Sequence, residues 1–216
     1  MKWSHLAVFD LDKTIVESNC SFDFCRYLVS RKVLPGVMLF RSFIYYVRHM
    51  FFGLDLLSLH RSVFTSLLKG MSLPVLEQNV ELFLKSQFFS KIYPPVLAQL
   101  RRAQHLGHYT LILSNSPSFL VNKIAQFLGV DEARATEYAV DKDQNLCHIA
   151  SVMQGQDKAS CLKEIAGKLS IDKSNITAYS DSILDLPLLL SAGTAIAVKP
   201  DRKLRRFSEI HQWTIL

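Results

Sequence analysis

Val8-Phe9-Asp10-Leu11-Asp12-Lys13-Thr14 is the stretch on which the reading of the fold turns. The apolar run from Leu6 to Phe9 has the length of a buried strand. It ends in two carboxylates one residue apart, followed by a threonine. At a strand end, the alternation of side chains aims Asp10 and Asp12 the same way. Two ionised carboxylates that close repel each other. A divalent cation offsets the repulsion, and Mg²⁺ accepts one or two carboxylates together with substrate phosphate. One carboxylate can then attack as a nucleophile while the other moves protons. The ordinary alternative is a turn with an Asx hydrogen bond, and the stretch alone does not decide between the two.

Beyond Thr14 the period changes. Residues 18 to about 90 read almost wholly as helices. Phe22, Cys25 and Val29 recur at helical spacing before Pro35-Gly36 breaks the chain. A long segment from Val37 to Phe52 is closed by Gly53. Leu56, Leu59, Val63 and Leu67 mark a helix closed by Gly70. Ser72 is placed to cap another, with Val75, Leu76, Val80 and Phe83 as its apolar face. The pattern predicts a bundle of about four helices inserted after the first strand.

Pro94-Pro95 marks the return, and strands and helices then alternate. Val96 to Leu106 is a predicted helix ended by Gly107, Thr110 to Leu113 a strand, and Phe119 to Leu128 a helix ended by Gly129. Residues 134–153 suit a β-hairpin turning at Asp141-Lys142-Asp143-Gln144-Asn145. Ala159 to Leu169 follows as a helix, Ile176 to Tyr179 as a strand, Leu184 to Leu190 as a short helix and Thr194 to Val198 as a strand. This alternation implies an α/β fold with a doubly wound parallel sheet covered on both faces. Residues 1–17 and 91–216 are expected to form the core domain, and residues 18–90 a helical cap.

The chain has 216 residues, 49% of them hydrophobic, enough for a real core and against wholesale disorder. Its net charge of +6 favours anionic partners without choosing among nucleic acid, phosphorylated metabolites and an acidic membrane surface. Cys20, Cys25, Cys147 and Cys161 form no CxxC pair, which fits reduced, buried thiols. The first apolar run is short and ends in Asp10, so no signal peptide is expected and the compartment is read as cytoplasmic.

Open parallel sheets bind ligands beyond the C-terminal ends of their strands. Three predicted strands here end in residues of catalytic type. One ends at Asp10 and Asp12, one at Ser114-Asn115-Ser116, and one at Ser180-Asp181-Ser182, with Asp185 one helical turn on. Lys158 opens the helix between the last two. A hydroxyl with adjacent backbone N–H groups can hold a phosphate, and a lysine adds a point charge for the same oxygens. Asp181 and Asp185 can complete a magnesium site with Asp10. Capping, turn formation and solvated charge each explain one of these features, but not their joint appearance at successive strand exits.

The ordered set resembles the haloacid dehalogenase superfamily of aspartate-nucleophile phosphatases. Motif one is Asp10-Leu11-Asp12-Lys13-Thr14, motif two Ser114, motif three Lys158, and motif four Ser180-Asp181-Ser182-Ile183-Leu184-Asp185. The helical insert after motif one is similar to the cap of the phosphoserine phosphatase-like branch, and the core would be Rossmann-like. The resemblance implies that Asp10 attacks phosphorus and carries an aspartyl-phosphate. Asp12 would protonate the leaving alcohol and then activate water, its carbonyl binding Mg²⁺. Ser114, Asn115 and Lys158 would hold phosphate oxygens, Asp181 would ligate the metal with Asp185 in support, and Thr14 would steady the loop.

Two positions depart from that family. Leu184 stands where an asparagine is usual in motif four. Asn19 stands nine residues after the nucleophile, where amino-acid phosphatases of the branch carry a glutamate for the substrate ammonium. A neutral amide lacks the charge for that pairing, and Glu17 is the nearby residue that could compensate.

At about 100° per residue, Arg41, Ser42, Tyr45, Arg48 and His49 share one arc of the segment Leu39 to Phe51, with apolar residues around the rest. That suits a helix buried in the bundle, or one touching acyl chains with Arg41 and Arg48 near phosphate headgroups. Two arginines and a histidine argue against a membrane span. The cap also resembles that of the phosphatidylglycerophosphatase C type, sharing the run Arg26-Tyr27-Leu28. Lys199, Arg202, Lys203, Arg205 and Arg206 read as a solvated helix face that adds attraction to anionic lipid or substrate.

The expected activity is therefore Mg²⁺-dependent hydrolysis of a phosphomonoester, first a hydrophobic or lipid phosphate such as phosphatidylglycerophosphate, second a small soluble one such as phosphoserine. A phosphotransferase and a non-catalytic phosphate-binding protein are the rivals. Peripheral contact with the inner face of a membrane fits the first choice. Neither nucleic acid nor an obligate protein partner is expected, since no basic stripe interleaved with aromatics appears outside the amphipathic cap helix. Hinges between cap and core are expected at Glu17-Ser18-Asn19 and Tyr93-Pro94-Pro95.

Overall fold

The computed structural model describes residues 3–37 and 56–216. Its centre is β1 (Leu6–Phe9), every residue of which is buried. Leu6 and Val8 belong to one apolar cluster and Ala7 and Phe9 to another, so the strand is covered on both faces. That explains why it reads as a continuous apolar run rather than an alternating one.

The other strands are β2 (Tyr109–Pro117), β3 (Glu132–Val140), β4 (Leu146–Ser151), β5 (Ile176–Ser180), β6 (Thr194–Ala197) and β7 (Thr214–Ile215). They form one sheet in the order β4-β3-β2-β1-β5-β6-β7. All pairings are parallel except that of β3 with β4, the hairpin at the edge. The chain order reverses at β1, which lies between β2 and β5. Such a switch point leaves a crevice beyond the strand ends, and the residues following β1 and β5 reach it there.

The α-helices among the described residues include α1 (Cys20–Ser30), α2 (Leu56–Val63), α3 (Leu73–Phe83), α4 (Pro94–His105), α5 (Ser118–Leu128), α6 (Gly155–Leu169), α7 (Leu186–Leu190) and α8 (Arg202–Ile210). α2 and α3 run on into π-helical turns, Phe64–Leu68 and Leu84–Phe88. On one face of the sheet, α1, α3, α4 and α5 share a single apolar cluster with Phe9 and Ile112. Phe83, wholly buried, meets Phe24 at 5.7 Å and Tyr27 at 5.6 Å between ring centroids. The inserted helices thus pack into the same core as the sheet. On the opposite face, α6, α7 and α8 cover Leu6, Val8, Leu111 and Ala178.

The outgoing and returning connections of the insert run side by side. Val16 bridges Ile92, Glu17 N–H donates to the Lys91 carbonyl at 2.9 Å, and Tyr93 N–H donates to the Ile15 carbonyl at 2.8 Å. Asp23 ties them further, accepting from Ser18 and pairing with Lys91 at 3.0 Å. The residues expected to act as hinges are therefore hydrogen-bonded to one another's neighbours.

Several sequence expectations need correction. β2 continues to Pro117 instead of ending at Leu113, because its pairing with β3 slips: Leu113 faces Arg134, and Pro117 faces Thr136. Four steps on one strand against two on the other make a bulge over Ser114–Ser116. Lys158 does not open its helix. α6 begins at Gly155 behind a capping box of Gln154 and Asp157, which puts Lys158 inside the first turn. Ser72 precedes α3 but makes no side-chain cap. Lys199 lies before α8 rather than on its exposed face, paired with Glu17 at 2.7 Å and 3.6 Å above the Tyr93 ring. β7 has only two residues, too short to leave a periodic signal. Arg41 and Arg48, with the rest of the amphipathic segment around them, lie outside the described residues. Among the described residues, no helix is long and apolar enough to cross a membrane.

Candidate active site

The site is assembled around Lys158. Its Nζ donates to Asp10 Oδ1 and to Asp185 Oδ2, both at 2.7 Å, with all three side chains buried. Asp10 is delivered by the end of β1, where its N–H donates to the Tyr179 carbonyl at 2.9 Å and so extends the β1–β5 pairing by one residue. Lys158 comes from the first turn of α6, and Asp185 from the short turn after β5. An ammonium has three donors. Two are engaged by these carboxylates, which leaves one for a substrate oxygen.

Thr14 Oγ1 donates to Asp10 Oδ2 at 3.2 Å, so both oxygens of Asp10 are fixed. Lys13 turns the chain back with a φ of 58°. Ser180 Oγ donates to Asp185 Oδ2 at 2.8 Å. Asp12 is held separately: Oδ1 accepts the Cys20 N–H at 2.6 Å, and Oδ2 accepts from Ser116 Oγ at 2.6 Å. Ser114, wholly buried, accepts the Ser116 N–H at 3.1 Å, which leaves its hydroxyl proton free to donate to an anion. The Asn115 carbonyl is taken by Thr136 Oγ1 at 2.7 Å.

Electrostatics divide the site. Burial opposes the charge on Lys158, but Asp10 and Asp185 outweigh it and hold the ammonium well above the usual lysine range. Asp10 is raised to about 8: burial pushes it up most, Lys158 pulls it down, and the charges of Asp185, Asp181 and Asp12 add to the rise. Burial likewise raises Asp181 to about 6, against the pull of Lys13. One buried ammonium is too little positive charge for this many carboxylates. The group therefore holds a proton near neutral pH unless a cation takes its place.

That excess is the chemistry a divalent cation fits. No cluster of three or more His, Cys, Asp or Glu side chains is gathered for a metal among the described residues. Asp185 is engaged by Lys158 and Ser180, and the Asp12 carboxylate by Ser116 and Cys20. Asp10 is engaged too, by Lys158 and Thr14, but each carboxylate oxygen keeps a further lone pair. Asp10 can therefore still serve with Asp181 as a side-chain donor, and one or two carboxylates suffice for Mg²⁺ when phosphate and water complete the shell.

Asn19 sits at the N-cap of α1, where its Oδ1 accepts the Phe22 N–H at 2.8 Å. Glu17 is paired with Lys199, so it is not a free substitute for a substrate-binding carboxylate. In the run Arg26-Tyr27-Leu28, Tyr27 and Leu28 are core residues.

Three residues support the site although the sequence reading assigns none of them an individual role. Ser116 holds Asp12, and Ser180 holds Asp185. Gly155 starts α6 against motif four, where a Cβ would lie 1.9 Å from the Leu184 carbonyl oxygen. Ser180 lies within motif four, Ser116 two residues after Ser114 and Gly155 three before Lys158; the need for Ser116 and Gly155 arises only from contacts between distant segments.

The family of haloacid dehalogenase-like hydrolases matches residues 7–190 of the chain. A protein of Streptomyces azureus described as an inhibition of morphological differentiation protein is 29% identical, covering 97% of this chain and 77% of its own. A probable phosphatase of Mycobacterium tuberculosis is 27% identical over 97% of this chain and 74% of its own. Among solved structures, a phospho-aspartyl intermediate analogue of phosphoserine phosphatase superposes with a TM-score of 0.70 at 19% identity, over 99% of this chain and 93% of that one.

Proposed function

The chain belongs to the haloacid dehalogenase-like hydrolase family, and on that premise we propose that it hydrolyses phosphomonoesters through an aspartyl-phosphate on Asp10. The observation that carries this reading is Lys158 bridging Asp10 and Asp185 at 2.7 Å to each, beyond the ends of the two central strands. The nucleophile is thereby oriented beside a cation able to bind the phosphoryl oxygens.

Asp10 attacks phosphorus, and the P–O bond to the alcohol breaks. Asp12 gives its proton to the departing oxygen. Asp12 then takes a proton from water, whose oxygen attacks the aspartyl-phosphate, releasing inorganic phosphate and restoring Asp10. The Ser114 hydroxyl, the backbone at Asn115 and Lys158 hold the phosphoryl oxygens, with Thr14 keeping Asp10 in place. Asp10 and Asp181, with the Asp12 carbonyl and with Asp185 in support, would hold a Mg²⁺ ion, which would supply charge to offset the phosphate and the carboxylates.

For substrate we favour a hydrophobic or lipid phosphate, in the manner of phosphatidylglycerophosphate, met at the inner face of a membrane. Supporting this, Leu184 in motif four is 60% exposed, Phe22 in the first turn of α1 is 43% exposed, and Asn19 is spent as a cap where an ammonium-binding carboxylate would be needed. The likeness to a phosphoserine phosphatase structure favours a second reading, a small soluble phosphate.

The test is phosphate release, with Mg²⁺ and with EDTA, from phosphatidylglycerophosphate and phosphatidic acid in detergent against phosphoserine and sugar phosphates. Mg²⁺-dependent release from the lipids is expected. Preference for phosphoserine would replace the first substrate reading with the second. No release from any would overturn the hydrolase reading.

A further inference from the structure

We propose that Ser116, backed by Ser21, is a positioning residue that aims Asp12 at the leaving group and makes this aim depend on the docking of α1. The inference rests on the proposed role of Asp12 as acid and base. Ser116 is buried in the bulge of β2, and its Oγ lies 2.6 Å from Asp12 Oδ2 and 2.6 Å from Ser21 Oγ. A hydroxyl has one proton. An ionised Asp12 only accepts, so Ser116 donates that proton to it and Ser21 is the donor to Ser116; the proton that Asp12 carries for the leaving group then sits on a lone pair that neither bond uses. The order is fixed: Ser21 to Ser116 to Asp12. The Cys20 thiol adds a weaker contact to Ser116 at 3.5 Å.

The other oxygen of Asp12 accepts the Cys20 N–H. The carboxylate is thus clamped from two sides. The core supplies Ser116, 104 residues away in sequence, and the start of α1 supplies Cys20 and, through Ser116, Ser21. Two donated hydrogen bonds on different oxygens remove the rotation of the carboxylate about its last bond. The remaining lone pairs are left to face a leaving oxygen. If α1 moves away from the core, two of the three members of the clamp leave with it.

Precise placement of an acid matters when the leaving group needs a proton and matters little when it departs as a stable anion. A general acid contributes roughly 10²- to 10⁴-fold, so an ill-aimed one forfeits on the order of tenfold or more. Phenyl phosphate and p-nitrophenyl phosphate have nearly the same shape but differ in this need.

The experiment compares kcat/KM for the two esters in wild type, Ser116→Ala, Ser21→Ala and the double variant, each with its Tm recorded. The expected result is a loss of about tenfold or more on phenyl phosphate and less than about threefold on p-nitrophenyl phosphate in Ser116→Ala. Ser21→Ala should show a smaller loss of the same kind, and the double variant should be no worse than Ser116→Ala, because the two hydroxyls act in series. Equal losses on both esters, or additive losses in the double variant, would overturn the inference while leaving the hydrolase reading intact. A wild type that turns over neither ester, nor any substrate of the panel above, would overturn the reading itself. Should Ser116→Ala unfold, the half-exposed Ser21→Ala still decides, through the ratio of its two losses.

Discussion

The Nζ of Lys158 lies 2.7 Å from Oδ1 of Asp10, across 148 residues of sequence. Both groups are buried, and Asp185 shares the same ammonium. Removing one partner of a buried ion pair leaves an uncompensated charge, at a cost of about 3–5 kcal/mol. Lys158→Met should therefore lower stability by that order in denaturant unfolding. It should also cut phosphate release by roughly 10²- to 10³-fold, the usual loss on deleting one preorganised electrostatic contact. A Lys158→Met protein as stable and as active as wild type would contradict the bridging role.

The raised carboxylates give the metal-free protein a pH signature. Asp10, lifted by burial to about 8, is protonated in the folded state over a range where the unfolded chain has already lost its proton. The stability from that proton is complete below about pH 4 and is lost as pH rises to about 8, with Asp181 adding to the fall up to about pH 6. Thermal unfolding in EDTA should show this decline. Mg²⁺ should flatten it, because the cation replaces the proton, and Asp10→Asn should flatten it without metal. A stability that rises with pH in EDTA would count against the charge excess.

How much of this could be read from the sequence depends on the length scale of each feature. β1, the return at Pro94-Pro95, the turn at Asp141–Asn145 and the helix end at Gly129, whose φ is 66°, are local patterns, and the structure has them where expected. The bulge at Ser114–Ser116 was not readable, because it is set by the register between β2 and β3. The lysine bridge was readable only as a set of candidate charges. Which carboxylates Lys158 would join depends on how α6 and the turn after β5 meet.

Gly155 illustrates the point and yields a paired prediction. A methyl group there would collide with the Leu184 carbonyl oxygen, whereas a Cβ on Gly167, in the same helix, meets nothing within 4 Å. Gly155→Ala should cost about 1–3 kcal/mol as overpacking and reduce activity by shifting Lys158 from Asp185. Gly167→Ala should stabilise by about 0.4–1 kcal/mol and leave activity unchanged. Equal effects at the two sites, read by thermal unfolding, would contradict the close approach.

Asn19 caps α1 through the Phe22 N–H. Asn19→Ala should cost about 1 kcal/mol, a Tm drop of about 2–4 °C in a chain of this size, with KM for the preferred substrate changed less than about twofold. A large rise in KM at unchanged stability would make Asn19 a substrate contact instead.

The account stands or falls on Asp10 as the group that carries the phosphoryl. The most direct measurement is mass analysis of enzyme quenched in acid during turnover of its best substrate, followed by mapping of the modified peptide. One phosphoryl group on the peptide containing Asp10, absent in Asp10→Asn, is the expected result. Steady phosphate release with no covalent label, or undiminished turnover in a folded Asp10→Asn protein, would contradict it.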